Sequence, residues 1–409
     1  MTDILLDLGL VIVVSIVVAW TLGRVGVTRA FGYIVAGIVA GYALRGLIRP
    51  TLTGGFDALS GAALGFVTFT IGQDFTVSGI RRMGVRGPLL AIVQALFTYA
   101  AVFVGMIGLS AAGVVMLGHV VPEALLLAAT ATATAPAATF EVIRRLRTRG
   151  PLTDALSVSV MFDDAVGIVV FDVSVVIARA MMGGVVSPGW GVVAASLREL
   201  GLSVLLGSAA GTAYSLCARF LRSRNEVRVL GIGMVLLVVG LSRTWELSPL
   251  LASIVLGAVF ANLSPRSEAA FDDIDTWSGP LLLLFFFLAG AATDFGLLKT
   301  HWSIVACYIV LRAVGKVVGS GVGAGIIRSP RAVQNLLGLS MLPQAGLAVG
   351  HALLVTSLFP DLQYITMTVV VAVLVFDVVG PVFTSCMLVR CGEAAEPSPS
   401  STDAGGGRR

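Results

Sequence analysis

Residues 152–180 read LTDALSVSVMFDDAVGIVVFDVSVVIARA. A helix needs about 20 apolar residues to cross a bilayer core, and this run is long and apolar enough to do so. Near its centre stand two adjacent acids, Asp163 and Asp164. A charge at that depth costs roughly 3 kcal/mol or more, so two in succession mark a working site. Successive helical residues point about 100° apart, so the two carboxylates cannot serve one partner. One is expected to face a water-filled cavity and the other a neighbouring helix. Asp172 lies two turns further along, where it lines an outer cavity or sits at the interface.

The rest of the chain is built the same way. Of its 409 residues 57% are hydrophobic and 12% charged, and the mean hydropathy is +0.97. Soluble domains carry about 25% charged residues, so the composition excludes them. Punctuation by polar residues, Gly and Pro predicts thirteen helices, near 4–22, 30–45, 55–78, 87–117, 122–146, 152–180, 189–221, 228–243, 248–262, 277–297, 301–327, 332–358 and 362–389. Asp3 and Asp7 stand where a cleavable signal would be basic. Cys217, Cys307, Cys386 and Cys391 form no disulfide framework. With the N-terminus outside, the loops place nineteen basic residues on the cytoplasmic side and six on the other. That bias predicts N-out and C-in topology in a bacterial inner membrane. The net charge of +4 is therefore read loop by loop and points to no nucleic-acid partner. Residues 1–391 form one transmembrane domain, and 392–409, GEAAEPSPSSTDAGGGRR, are expected to be a disordered cytoplasmic tail.

Further anomalies gather at the same depth. Lys316 lies mid-helix in LRAVGKVVGSGVG, and Lys299 is the only other lysine. A buried Lys, unlike Arg, can release its proton, so Lys316 is expected beside the aspartates as a titrating group or a permanent counter-ion. Arg312, one turn earlier, is expected to pair with another buried acid, for which Asp377 in VVVAVLVFDVVGP is the candidate. Two helices carry breakers at midplane depth: ATATAPAAT around Pro136, and SMLPQAGLAVG with Pro343, Gly346 and Gly350. Proline removes a backbone donor and clashes with the preceding turn. The carbonyl and amide groups thus freed are tolerated only inside protein or around a polar cavity. The broken spans are the fifth and the twelfth, each followed by a helix with a Phe-Asp step (Phe162-Asp163, Phe376-Asp377). Five-helix units at about 30–180 and 248–389 then begin on opposite sides, as in an inverted-topology repeat with two interrupted crossing helices. The fold class is an all-α polytopic membrane protein.

These stretches resemble the monovalent cation:proton antiporter superfamily, specifically its cation:proton antiporter-2 branch of bacterial sodium(potassium)/proton exchangers. The likeness runs over about residues 5–390, through FGYIVAGIVAGYAL, LGFVTFTIGQDF, ATATAPAATFEVIRRLRTRGPLTD, FDDAVGIVVF, PLLLLFFFLAGAATDF, GKVVGSGVGAG and LPQAGLAVG. The aspartate pair with the downstream lysine is its most specific part. The resemblance implies that Asp164 carries the cation (Na⁺) or the proton, that Asp163 pairs with Lys316, and that Thr132, Ala133 and Thr134 supply oxygens from the first break. It also implies a homodimer through the first span and the helices that link the repeats. The chain departs from the pattern at Gln344-Ala345-Gly346, where many relatives have Arg-Gly-acid, so either Gln344 stands in as a neutral oxygen ligand or coordination of the cation is looser.

The residues thus predict a secondary antiporter, not an enzyme, with no cofactor, exchanging a monovalent cation for protons. A hard cation wants oxygen ligands, and a carboxylate that holds either cation or proton makes the two compete. Exchange is electrogenic if Lys316 also gives up a proton. Two other readings stand beside it: a symporter of an organic anion, which needs a larger cavity and no Asp-Asp/Lys constellation, and an intramembrane aspartyl protease using Asp164 with Asp377, which lacks the expected G-x-G-D context.

Overall fold

The computed structural model describes residues 4–24, 27–43, 53–83, 86–183, 190–344 and 346–394. Before the first break the helices are α1 (Ile4–Gly23), α2 (Arg29–Ala43), α3 (Thr53–Gly72), the short α4 (Val77–Met83), α5 (Arg86–Ala111) and α6 (Val120–Thr132). Then come α7 (Pro136–Leu146), α8 (Pro151–Met182), α9 (Trp190–Phe220), α10 (Arg224–Thr244), α11 (Pro249–Leu263) and α12 (Ser267–Ala291). The chain continues with α13 (Gly296–Ile326), α14 (Arg331–Ser340), α15 (Gly346–Leu358), a 3₁₀ turn at Pro360–Leu362 and α16 (Gln363–Arg390). The thirteen expected spans are present, the fifth split into α6 and α7 and the twelfth into α14 and α15.

Both splits follow from proline chemistry. Pro136 stands in the first turn of α7, where its missing N–H costs nothing, while Ala133 is extended (φ −61°, ψ 139°). In the second break the carbonyl of Pro343 accepts a hydrogen bond from the Ala135 amide at 3.0 Å. The two interrupted spans therefore cross and are tied at their breaks. Gly380 of α16 lies against the crossing: a Cβ there would come within 2.6 Å of the Pro343 nitrogen.

Packing divides the helices into a core of α5–α8 with α13–α16 and a panel of α1–α3 with α9–α12, and contacts between the two groups are sparse. The pairings obey the repeat. Helix α2 packs on α12 as α3 packs on α11, and α5 meets its own counterpart α13 in the most extensive pairing of the molecule. Equivalent glycines make the first two possible: a Cβ at Gly37 would fall 1.9 Å from the Phe287 carbonyl oxygen, and one at Gly257 would fall 2.1 Å from that of Phe69. Small residues let membrane helices approach until their backbones touch.

Some boundaries differ from expectation. Helix α12 starts at Ser267 rather than near 277, because Glu268 and Asp272 turn outward while Ala270, Phe271 and Ile274 pack inward. Asp273 there pairs with Arg224 at 3.1 Å. The third span stops at Gly72 and the fourth at Ala111. The tail from 395 onward, Ala345, and the loop residues Arg45 and Arg49 lie outside the described residues.

Candidate functional site

Asp163 is fully buried and completely engaged. Its Oδ2 lies 2.6 Å from Lys316 Nζ and also accepts from Thr134 Oγ1, while Oδ1 accepts from Gln94 Nε2. Lys316, itself fully buried, directs its other two protons to the Thr132 carbonyl at 2.6 Å and to Thr134 Oγ1 at 2.8 Å. An ammonium has three donors and no acceptor, so this one is saturated. The glycine ladder of α13 makes the reach possible: Gly315, Gly319 and Gly323 lie against Thr98, Gln94 and Leu90 of α5.

Asp164 faces elsewhere. Its Oδ1 has no hydrogen-bond partner among the described residues, and the residue lines a cavity of about 600 Å³. Thr134, Glu141, Asp275 and Asp377 share that wall with Thr28, Arg29 and Gly346. Gly167, one turn on, lets the first break approach α8; a Cβ there would stand 2.9 Å from Thr132 Oγ1. A second cavity, about 410 Å³, enters from the other end of α8 and is lined by Asp172, Arg179, Glu199, Arg243, Glu246 and Ser248. Eight helical steps, about 12 Å, separate Asp164 from Asp172. Between them Phe171 stacks on His351, centroids 4.0 Å apart, and both rings are fully buried.

One expected pairing is corrected. Arg312 does not pair with Asp377. Its guanidinium donates to the carbonyls of Ala131 (3.1 Å), Ala133 (2.9 Å) and Leu342 (2.9 Å) and lies 4.4 Å over the Phe376 ring. A five-donor planar group suits carbonyls that broken helices leave without amides, so it staples the two breaks together. Asp377 instead accepts from Thr28 Oγ1 at 2.6 Å. Gln344 is not part of the Asp164 cavity lining; its Nε2 donates to the Thr130 carbonyl at 3.1 Å and Tyr308 Oη at 3.2 Å, and its Oε1 has no partner among the described residues. Of the oxygens expected from the first break, the carbonyls of Thr132 and Ala133 accept from Lys316 and Arg312, and Thr132 Oγ1 bonds within its helix to Ala129 at 2.8 Å. Thr134 alone of the three lines the cavity.

Sequence reasoning missed Gln94, Tyr308, Thr28, Ser248 and His351. Gln94 carried a usable signal, a lone amide inside an otherwise apolar span, which in a membrane needs a partner.

Comparison with known proteins agrees with this architecture. The family profile "Sodium/hydrogen exchanger, transmembrane" matches residues 11–389. A search of curated proteins finds no match. Among solved structures, the chain is similar to the sodium proton antiporter MjNhaP1 from Methanocaldococcus jannaschii at pH 8, with a TM-score of 0.76 at 16% identity over 94% of this chain and 97% of that one. An electron-microscopy structure of the same antiporter gives a TM-score of 0.73 at 15% identity, over 97% of this chain and all of that one. With two crossing broken helices, an inverted repeat and a profile match over nearly its whole length, this multi-pass membrane protein belongs to the sodium/hydrogen exchanger family of cation:proton antiporters.

Proposed function

We propose that the protein exchanges Na⁺ for protons at Asp164, with the Asp163–Lys316 pair as a switchable partner. The observation that carries this reading is the unequal engagement of two adjacent carboxylates. Asp163 is held by Lys316, Gln94 and Thr134, whereas Asp164 keeps an unpartnered oxygen at a cavity wall. A carboxylate with one unpartnered oxygen, on the same cavity wall as Thr134, offers the oxygen ligands a hard monovalent cation prefers, and a proton competes for the same oxygen.

Positive-inside topology puts the Arg144–Arg149 end in the cytoplasm, so the Asp164 cavity is the inward path and the Asp172 cavity the outward one. Movement of core against panel would expose Asp164 to each in turn. When the cation arrives, the Asp163–Lys316 pair is the group placed to release a second proton, which makes exchange electrogenic. The acidic wall of Asp164, Glu141, Asp275 and Asp377 disfavours an organic anion as substrate. The outward-facing apolar side chains of α1, among them Leu10, Val13, Val17 and Trp20, suit lipid or a second copy, and we assign the homodimer contact there.

Proteoliposomes carrying a pH-sensitive dye test the reading. Na⁺ is expected to drive proton movement in the parent protein and not in Asp164→Asn. Unchanged exchange in Asp164→Asn would remove Asp164 from the mechanism, and no response of the parent to Na⁺, Li⁺ or K⁺ would overturn the reading as a whole.

A further inference from the structure

Side-chain hydrogen bonds from Thr28 and Ser248 join panel to core, and they are copies of each other. Thr28 precedes α2; its Oγ1 accepts from the Phe31 amide at 3.2 Å and donates to Asp377 Oδ2 at 2.6 Å. Ser248 precedes α11; its Oγ accepts from the Leu251 amide at 3.1 Å and donates to Asp172 Oδ2 at 2.5 Å. In both, the capping hydroxyl of a panel helix gives its single proton to a buried acid on a long core helix. Helices α2 and α11 open the two repeats, and α8 and α16 close them.

The bonding also revises the internal match between the repeats. Phe171-Asp172-Val173, rather than Phe162-Asp163, is the counterpart of Phe376-Asp377-Val378 in hydrogen bonding. Asp172 and Asp377 are 5% and 2% exposed, and neither has a cationic partner among the described ion pairs. Each acid and its hydroxyl line the same cavity, Thr28 with Asp377 at one mouth and Ser248 with Asp172 at the other.

We propose that these two pairs are positioning latches, one per mouth, and that release of a latch widens the mouth it lines. A hydroxyl-to-carboxylate bond is charge-assisted and short, and it weakens steeply once its angle is lost. Sliding one bundle past the other therefore breaks it cleanly. Because contacts between the bundles are otherwise sparse, two such bonds at symmetry-related points hold a large share of the panel–core register. The inference rests on the alternating-access reading above, but it has its own test.

Cys217, Cys307, Cys386 and Cys391 are replaced by Ser, and a reporter is introduced as Val67→Cys at the Asp164 cavity or Leu354→Cys at the Asp172 cavity. Labelling by a polar maleimide is timed in detergent micelles. Thr28→Val is expected to speed labelling of the Val67→Cys reporter about 10-fold and leave the Leu354→Cys reporter within twofold; such a factor corresponds to about 1.4 kcal/mol. Ser248→Ala is expected to do the reverse, and Thr28→Ser and Ser248→Thr to label at the parent rate. Should a hydroxyl-free variant misfold, Asp377→Asn and Asp172→Asn preserve shape, weaken the acceptor and shift the same reporters in the same direction. Rates within twofold at both mouths in all these variants, or equal acceleration of both mouths by each variant, would overturn the latches. Parent exchange is measured separately, so its absence would count against the transport reading and leave the labelling result to judge the latches.

Discussion

In the exchange proposed above, Lys316 is the residue on which stoichiometry would turn. Its three protons go to Asp163, Thr134 and the Thr132 carbonyl, and losing one would release Asp163 Oδ2 and the first break together. Lys316→Gln keeps a donor and length but carries no proton through the cycle. If Lys316 is the second proton carrier, this variant in voltage-clamped or dye-loaded proteoliposomes is expected to exchange cation for proton one to one, with the transport current lost. A current of parental size would remove Lys316 from proton carriage. Arg312, one turn away, serves the backbone instead. Three carbonyls depend on it, and each buried acceptor left unpaired costs about 1–3 kcal/mol.

At the scale of elements, the α5–α13 crossing sets the height of Gln94 opposite Asp163. A Cβ at Gly319 would sit 2.7 Å from Phe97 Cβ and 2.9 Å from the Gln94 carbonyl oxygen, and neither backbone can retreat without moving the ion pair. Gly319→Leu is therefore expected to lower stability by about 1–3 kcal/mol or more, seen as a lower unfolding temperature in detergent, and to abolish exchange. Gly325→Leu, on the same helix with open space around its Cβ position, is the matched control and is expected to behave like the parent. Equal behaviour of the two variants would mean that close approach of α5 and α13 does not position the site. The broken helices were legible in advance because proline chemistry is local; that their breaks would bond to each other through Ala135 and Pro343 was not, since neither residue encodes its distant partner.

For the whole molecule, the segment after α16 returns to the start of α8. Glu393 accepts from the amides of Leu152 and Thr153 and from Thr153 Oγ1, each at 2.7 Å, and the Arg149 amide donates to its backbone carbonyl at 3.1 Å. Burial by itself would raise this carboxyl, but the hydrogen bonds to its charged form outweigh it and hold it below the ordinary 4.5. A carboxylate depressed on folding contributes stability above its unfolded pKa, and that contribution is lost as pH falls through the folded value. Glu393→Gln is accordingly expected to lower the unfolding temperature at pH 7, through about 1 kcal/mol of lost capping, with the difference from the parent closing below about pH 4. A difference that persists at full size in acid would assign the clasp to shape rather than charge.

Whatever depends on local chemistry could be read from the chain before any helix was placed against another. Apolar length set the spans, proline the two interruptions, and the cost of intramembrane charge the identity of Asp163, Asp164, Lys316, Arg312 and Asp377 as residues needing partners. Who those partners are is a property of the folded bundle. Arg312 serves carbonyls, Asp377 a helix-capping threonine and Gln344 the Thr130 carbonyl, while of the two adjacent acids Asp163 takes the lysine. Helical periodicity orients a side chain about its own axis and no further. The depth and crossing of helices more than a hundred residues apart are set by glycine contacts and by the mutual fit of two repeats, and those decide which buried charge meets which.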